Sequence, residues 1–428
     1  MKRRDEERLQ DWFSALHRKP LVLRGARQVG KSTLVRQFAA QKGLTINEIN
    51  LERHLGLDKV FASLDTRLMR AEVDALVGRS ITAAGSLLEF TLARHSFAMP
   101  VGRIEYHHLG PMSFREFLEA VEPPLCRYLD ELSPDSAPPE AAHQKLLLRQ
   151  RQYLFVGGMP EAVQSFVETG SLEESAAVHR RIVSTYEDDF AKYAGPRERA
   201  LLQHVFRQIP RLAGRKIKYV SLSREDRSLD VKAAISQLAG ARVCHRVAAS
   251  PCSGVPLHAD IDESAFKLLF LDIGLMNHVC GMDWLALSRM DDTRLVNEGA
   301  MAEQFIGQHL AYFDSGTESP RLAYWLREGR AANAEVDYVV ARGPRIFPVE
   351  VKAGRSGTLR SLQQFVAQKR TRTAIRFDLN PPSRQRVAGR LPPPHGLAPV
   401  PFDLISLPLY AVGELGRLLD DEREGSSG

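Results

Sequence analysis

Apolar positions along the chain recur at two periods. Leu9, Trp12, Phe13 and Leu16 fall at helical spacing between Asp5 and Leu16, which predicts an amphipathic helix with Trp12 in the core. The apolar run from Pro20 to Leu23 predicts a short buried strand, and Thr33 to Ala40 a helix behind it. Leu44 to Glu52 alternates apolar and polar side chains as a strand does, a helical stretch runs to about Val77, and Ile81 to Phe90 reads as a strand of small residues. Strand and helix alternate here as they do around a parallel sheet. From Phe114 to about Gly195 the period is helical. It is broken by the acidic, Pro-rich stretch Asp130 to Glu140, expected to be an exposed loop, and by Gly157 to Pro160. Leu201 to Ile209 and Ser228 to Leu238 predict helices, with a short strand or turn from Tyr219 to Ser223 between them and a strand from Ala241 to Cys244 after them. Three more strands follow at Arg321 to Arg327, Ala334 to Val340 and Ile346 to Lys352. The Pro-rich stretch from Asn380 through Pro394 and the polar end from Glu422 to Gly428 are expected as loop or disorder, with Leu404 to Val412 as an edge strand.

Length and composition narrow this picture only a little. The 428 residues suggest about three domains with ordinary cores. No apolar run approaches a membrane span, and none follows the charged start Met1 to Glu7 to form a secretory leader, so a cytoplasmic protein without membrane contact is expected. Cys126, Cys244, Cys252 and Cys280 are scattered, which argues against a disulfide framework or a zinc site. A net charge of +6 is spread too thinly to argue for nucleic acid by itself.

Chemistry enters between the first strand and its helix. Gly25, Ala26, Arg27, Gln28, Val29, Gly30, Lys31 and Ser32 form a GxxxxGKS phosphate loop that opens into the helix at Thr33. Glycines at those positions let backbone amides turn inward around a phosphate. Lys31 reaches the outer phosphates, and the Ser32 hydroxyl can hold Mg²⁺ at the positive end of the helix. ATP with Mg²⁺ is the expected cofactor. Ser113 to Glu116 forms an S-x-x-E capping box, which reads as structural.

Leu21 to Ser32, Ala84 to Phe90, Pro100 to Arg103 and Pro111 to Leu118 together resemble a prokaryotic family of AAA-type ATPases. In the members this chain is similar to, the ATPase joins a C-terminal domain of unknown function with a restriction-endonuclease-like core. The likeness runs from about Asp5 to Tyr410. It implies that Ser86 senses the terminal phosphate and that Arg103 closes over nucleotide, from this subunit or a neighbouring one. The alternatives are a strand-end turn at Gly85 and Ser86 and a surface charge at Arg103. It also implies an acidic strand, the Walker B element, between the phosphate loop and the Gly-Ser strand. Here Glu72 to Arg79 passes straight into Ser80 to Gly85 without it. The loss should cost the sheet a strand and the site its metal-orienting acid and its base, so nucleotide binding is expected and self-sufficient hydrolysis is not. Leu268 to Asp272 imitates the missing strand but lies far downstream, in a block that the resemblance assigns to the C-terminal half. Glu48, Glu52, Asp74 and Glu89 are substitutes that no spacing singles out.

The order of elements from Leu201 to about Val247 resembles a winged helix-turn-helix. Arg207, Arg211, Arg215, Lys216, Lys218, Arg224 and Arg227 would neutralise phosphates if they share a face; a protein-protein spacer is the other reading. Farther on, Asp337 followed by Glu350-x-Lys352 is the acid and acid-x-lysine arrangement of the PD-(D/E)XK nuclease fold. Strand alternation puts Glu350 and Lys352 on one side, where two carboxylates can hold Mg²⁺ and Lys352 can orient a water. Glu298 or Glu303 resembles the additional acid of such sites, and Gln363 or Gln364 a polar contact.

The expected fold is α/β and multidomain, with an abbreviated P-loop parallel sheet over 1–112, a helical lid over 113–195, a winged-helix-like domain over 196–290, a restriction-endonuclease-like domain over 291–412 and a flexible tail over 413–428. The expected function is an ATP-binding switch coupled to a nuclease-like module that acts on or holds DNA. The alternatives are a Mg²⁺-dependent endonuclease with a scaffold P-loop domain and a catalytically silent interaction protein with a protein partner or a second copy of itself.

Overall fold

The computed structural model describes residues 1–46, 48, 60, 65, 67–68, 71–72, 75, 83–85, 104–282, 299–313, 318–327, 333–355, 357–388 and 400–424. Helix α1 (Asp5–Ser14) is followed by β1 (Leu21–Arg24), α2 (Lys31–Gln41), β2 (Ala83–Gly85) and β3 (Glu105–His108). Leu9 is buried and Trp12 only half-buried, while Leu16 lies beyond the helix and is 92% exposed. The indole of Trp12 donates to the Lys19 carbonyl at 2.7 Å, and that polar contact holds the ring near the surface. β1 is the middle strand of a three-stranded sheet, parallel to β2 on one side and to β3 on the other. Most of the strand expected at Leu44 to Glu52 and of the helix after it lies outside the described residues; residues 44–46 make no strand.

A helical block follows: α3 (Phe114–Val121), α4 (Cys126–Asp130), α5 (Glu140–Val156), α6 (Pro160–Thr169), α7 (Leu172–Tyr193), α8 (Pro196–Gln208), α9 (Tyr219–Leu222) and α10 (Ser228–Gly240). The capping box forms as the spacing predicts, with Ser113 and Glu116 each satisfying a backbone amide of the other. Gly157 has φ +68°, a value open to glycine, and separates α5 from α6. Tyr219 to Leu222 is a short helix rather than a strand.

Strands β4 (Cys244–Ala249) and β5 (Asp262–Phe270), helices α11 (Ile273–Val279) and α12 (Gly299–Leu310), strands β6 (Leu322–Arg327), β7 (Ala334–Arg342) and β8 (Arg345–Val351), helix α13 (Arg360–Lys369), strands β9 (Thr373–Asp378), β10 (Ser383–Val387) and β11 (Phe402–Pro408), and helix α14 (Leu415–Glu424) complete the chain. All eight of these strands form one mixed sheet in the order β10-β11-β9-β8-β7-β6-β4-β5. The expected boundary at 290/291 therefore falls between strands of one sheet, because β4 runs parallel to β6 with Val247 opposite Leu322. β11 is interior rather than edge: Leu404, Ile405 and Leu407 are buried, so both its faces need cover. The edge is β10, taken from the stretch expected as loop. Its exposed Arg384, Gln385 and Arg386 give that edge the charge that discourages further pairing. In the expected tail, α14 buries Leu415, Leu418 and Leu419, and Arg342 binds Asp420 through two hydrogen bonds.

Two buried clusters sandwich the large sheet. Trp325, Val336, Phe365 and Leu404 pack under α13, with the Trp325 and Phe365 rings edge to face at 5.3 Å. The other cluster runs without a break from Leu9 and Leu23 through the helical block to Val349 and Leu419. The P-loop sheet and the large sheet thus share one core.

Candidate functional site

The phosphate loop is built by local conformation. Leu21, Val22 and Leu23 of β1 are buried and bring the chain to Gly25, where an added Cβ would meet the Leu109 carbonyl at 2.3 Å. Gln28 (φ +64°) and Gly30 (φ +90°) take left-handed conformations that turn the loop amides toward one point. Gly30 is the N-cap of α2, so the positive end of that helix faces the same point. Lys31 is 7% exposed, and its ammonium donates to the carbonyls of Gly25 at 3.0 Å and Ala26 at 2.7 Å. Burial, with Arg27 beside it, pushes that ammonium down to about 8.

A cavity of about 520 Å³ opens over the loop, lined by Arg27, Gln28, Gly30, Lys31, Ser32 and Thr33 from the loop side. Its opposite wall contains Met1, Arg3, Met112, Pro160, Glu161 and Gln164. Ser32 and Thr33 are exposed to it, Ala26 and Val29 are fully buried behind it. Those features fit a polyphosphate with its cation: converging amides, a helix N-terminus, an ammonium and a hydroxyl. Glu161 is the one carboxylate on the wall among the described residues, and Arg181 holds it at 3.0 Å. Glu48 pairs with Arg36 at 2.8 Å; Glu52, Asp74, Glu89, Ser86 and Arg103 lie outside the described residues.

Arg3, which sequence reasoning passed over, lies on the wall, and others buttress the loop from behind. Arg3, 5% exposed, donates to the Val29 and Gly110 carbonyls at 2.9 Å each and to Glu116 Oε1 at 2.9 Å, so the chain start is fastened to the loop. Within Met1 to Glu7 it reads as one more solvated charge, and no local signal sets it apart. Arg27 pairs with the buried Asp189 of α7, and the Tyr186 hydroxyl donates to the Arg27 carbonyl at 2.8 Å. Asp272, at the end of the imitation Walker B strand, is fully buried and serves as N-cap of α11; its carboxylate accepts from Leu275 N at 3.1 Å and Gly158 N at 2.6 Å. Burial raises its carboxyl to about 6.

The second constellation assembles on the large sheet. Lys352, one residue past β8, donates to Glu350 Oε1 at 2.5 Å, and Asp337 on β7 accepts the Val351 N–H at 2.7 Å. Glu350 is 5% exposed and its Oε2 has no hydrogen-bond partner among the described residues. Burial, then repulsion from Asp337, pushes the Glu350 carboxyl up to about 7, and burial raises Asp337 as well. Glu303 on α12 joins them, while Glu298 lies outside the described residues. Gln364 is buried on α13 and Gln363 half-buried.

Lys267 on β5 enters the same cluster. It is 1% exposed, with its ammonium 3.1 Å from Glu303 Oε2, 3.9 Å from Asp337 Oδ1 and paired with Glu335. Burial opposes its charge, but the carboxylates of Glu303, Asp337 and Glu335 hold it charged, above its usual range. A divalent ion shared by Glu303 and Asp337 would need the space this ammonium takes, since Mg²⁺ sits about 2.0–2.1 Å from its oxygens. Among the described residues, no three His, Cys, Asp or Glu side chains stand so as to hold a metal ion. Beside Lys267 the Glu303–Asp337 pair therefore leaves no room for Mg²⁺, while Glu298, the other acid expected there, lies outside the described residues. A lone lysine inside the apolar run Ala265 to Phe270 was the available signal, because a fully buried lysine needs carboxylates around it.

A family model described as an AAA domain matches residues 17–74. Two others, each described as a domain of unknown function, match residues 148–286 (DUF8612) and 298–382 (DUF4143). No curated protein matches the chain. The first and last of the family matches support an AAA-type ATPase-like protein with a C-terminal domain of unknown function. Among the described residues no helix is long and apolar enough to cross a membrane.

Proposed function

We propose that this chain is an ATP-binding switch in which nucleotide at the 25–33 loop biases the packing of the helical block on the large sheet. One observation carries the coupling. The loop residue Arg27 is held by Asp189 and Tyr186 of α7; Tyr186 and Phe190 lie against Phe206 of α8, with ring centres 6.1 and 5.6 Å away; and Phe206 lies 5.2 Å from Phe270 of β5. A polyphosphate in the cavity competes with Asp189 for the Arg27 guanidinium. That competition is a differential contact of the kind a ligand needs to shift an equilibrium. The loop amides, Lys31 and Ser32 would hold the phosphates and Mg²⁺, which supplies charge neutralisation when bound.

Turnover is assigned to none of the described residues. The acidic strand that the resemblance implies is missing from the sequence, and Glu161 is engaged by Arg181. For a partner, the proposal is DNA against the segment α8, α9, α10, β4 and β5. The exposed Arg211, Arg215, Lys216, Lys218, Arg224 and Arg227, and the bridge of Ile217 to Phe266, support that reading. Arg207 is paired with Glu187 at 2.7 Å and is not counted among them.

The test measures ATP binding and phosphate release on one purified sample with Mg²⁺. Binding without release is expected, and Lys31→Ala should weaken binding by about 10–100-fold, the worth of a charge-assisted hydrogen bond. Equal affinity in the two proteins would overturn the assignment of the site.

A further inference from the structure

We infer that Lys267 is a resident cation standing in place of a divalent metal among Glu303, Glu335 and Asp337, so that these acids hold no divalent metal. This goes beyond the nucleotide switch and does not depend on it.

Four carboxylates, those of Glu303, Glu335, Asp337 and Glu350, meet two ammonium groups, Lys267 and Lys352. An ammonium offers three N–H donors in fixed directions and no open coordination position. Lys267 directs two of its donors to Glu335 and Glu303, with the Asp337 carboxylate 3.9 Å and the Tyr324 ring centre 5.3 Å away. It has no vacant coordination position with which to polarise a water or a phosphate oxygen, which is what a catalytic metal ion does. The cluster is also covered on the side of the helical block. Gly214 (φ +73°) sits so close that an added Cβ would lie 3.0 Å from Glu303 Oε2. Tyr338 reaches across from β7 and donates to the Glu303 carbonyl at 2.8 Å, which holds α12 on the sheet. The placement of Lys267 is thus built by β5, α12 and β7 together, and it is 1% exposed.

The orphaned Glu350 Oε2 is the observation a metal would most readily explain. Yet its partner oxygen is taken by Lys352, and the nearby Asp337 offers one oxygen to Val351 N and the other toward Lys267. With Glu350 Oε1 on Lys352, Asp337 Oδ2 on Val351 N and the Lys267 ammonium facing Asp337 Oδ1, the pair does not present the near-octahedral oxygen ligands that Mg²⁺ wants.

The experiment titrates the nucleotide-free full-length chain with Mn²⁺ and follows free Mn²⁺ by its paramagnetic resonance. The wild-type chain and Asp337→Asn are expected to take up the same amount. Lys267→Met should gain one Mn²⁺ per chain, and Lys267→Met with Asp337→Asn should lose it again. Should Lys267→Met fail to fold in chelator, its melting transition is recorded with and without Mn²⁺, and rescue by the metal supports the inference. One Mn²⁺ bound by the wild type and removed by Asp337→Asn would overturn it. So would Lys267→Met taking up no metal when folded, or staying unfolded with metal present.

Discussion

Lys31 is held by the loop it serves. Its ammonium donates to the carbonyls of Gly25 and Ala26, the residue is 7% exposed, and burial brings the ammonium down to about 8 from an ordinary lysine value. Two consequences follow from the sign of that shift. Between pH 8 and the unfolded value near 10.5, the folded chain binds fewer protons here than the unfolded one, so this group makes stability rise with pH across that window and costs stability below it. A bound polyphosphate keeps the ammonium charged, so binding above pH 8 takes up a proton. ATP affinity should be flat from pH 6.5 to 7.5 and fall above 8, by at most about tenfold per pH unit. Calorimetric titration at pH 7 and 9 in buffers of different ionisation enthalpy reads both the affinity and the proton; unchanged affinity at pH 9 would remove Lys31 from the phosphates.

Helix starts show how local and distant roles separate at the scale of elements. Ser113 caps α3 from within its own turn, and its side chain is matched only to Glu116. Asp272 caps α11 but also takes the buried N–H of Gly158, 114 residues earlier, at the turn between α5 and α6. Ser113 is half-buried and its removal costs α3 the cap alone, so Ser113→Ala should cost about 1 kcal/mol. Asp272→Ala strands a buried N–H as well, and the two losses together should cost about 2–4 kcal/mol. Urea melts at pH 7.5 compare the two; equal costs would mean that the Gly158 contact contributes nothing.

At the scale of the whole molecule, the buried cluster that joins Leu23 under the P-loop sheet to Val349 and Leu419 leaves no layer of solvent between the nucleotide cavity and the large sheet. Such a core should melt as one cooperative unit. Calorimetry is expected to show a single transition that ATP raises as a whole, by about 2.7 kcal/mol of stabilisation at a hundredfold excess over Kd. Two transitions, with only the first responding to ATP, would show that the halves are independent and that the Arg27 to Phe270 path transmits nothing.

Features that depend on neighbours in the chain were legible beforehand. The phosphate loop needs glycine, lysine and serine within eight positions, and the capping box needs two residues three apart, so spacing alone implies their geometry. The strands β6, β7 and β8 were legible from their apolar patterning, the pairing of Glu350 with Lys352 from alternation, and the approach of Asp337 from the acid and acid-x-lysine arrangement. Strand partnership did not, because period-2 patterning says which faces are buried and not which strand lies alongside; so β4 beside β6 and the edge position of β10 were decided by packing. The partners of Arg3 and Lys267 were likewise hidden, since each lies far along the chain, Lys267 and Glu303 being 36 residues apart, although the apolar run around Lys267 signalled that it is buried. The sequence by itself determined where a phosphate can be held; only the tertiary structure decided which charges compensate the buried acids, because burying a charge is tolerable only where the fold delivers its counter-charge.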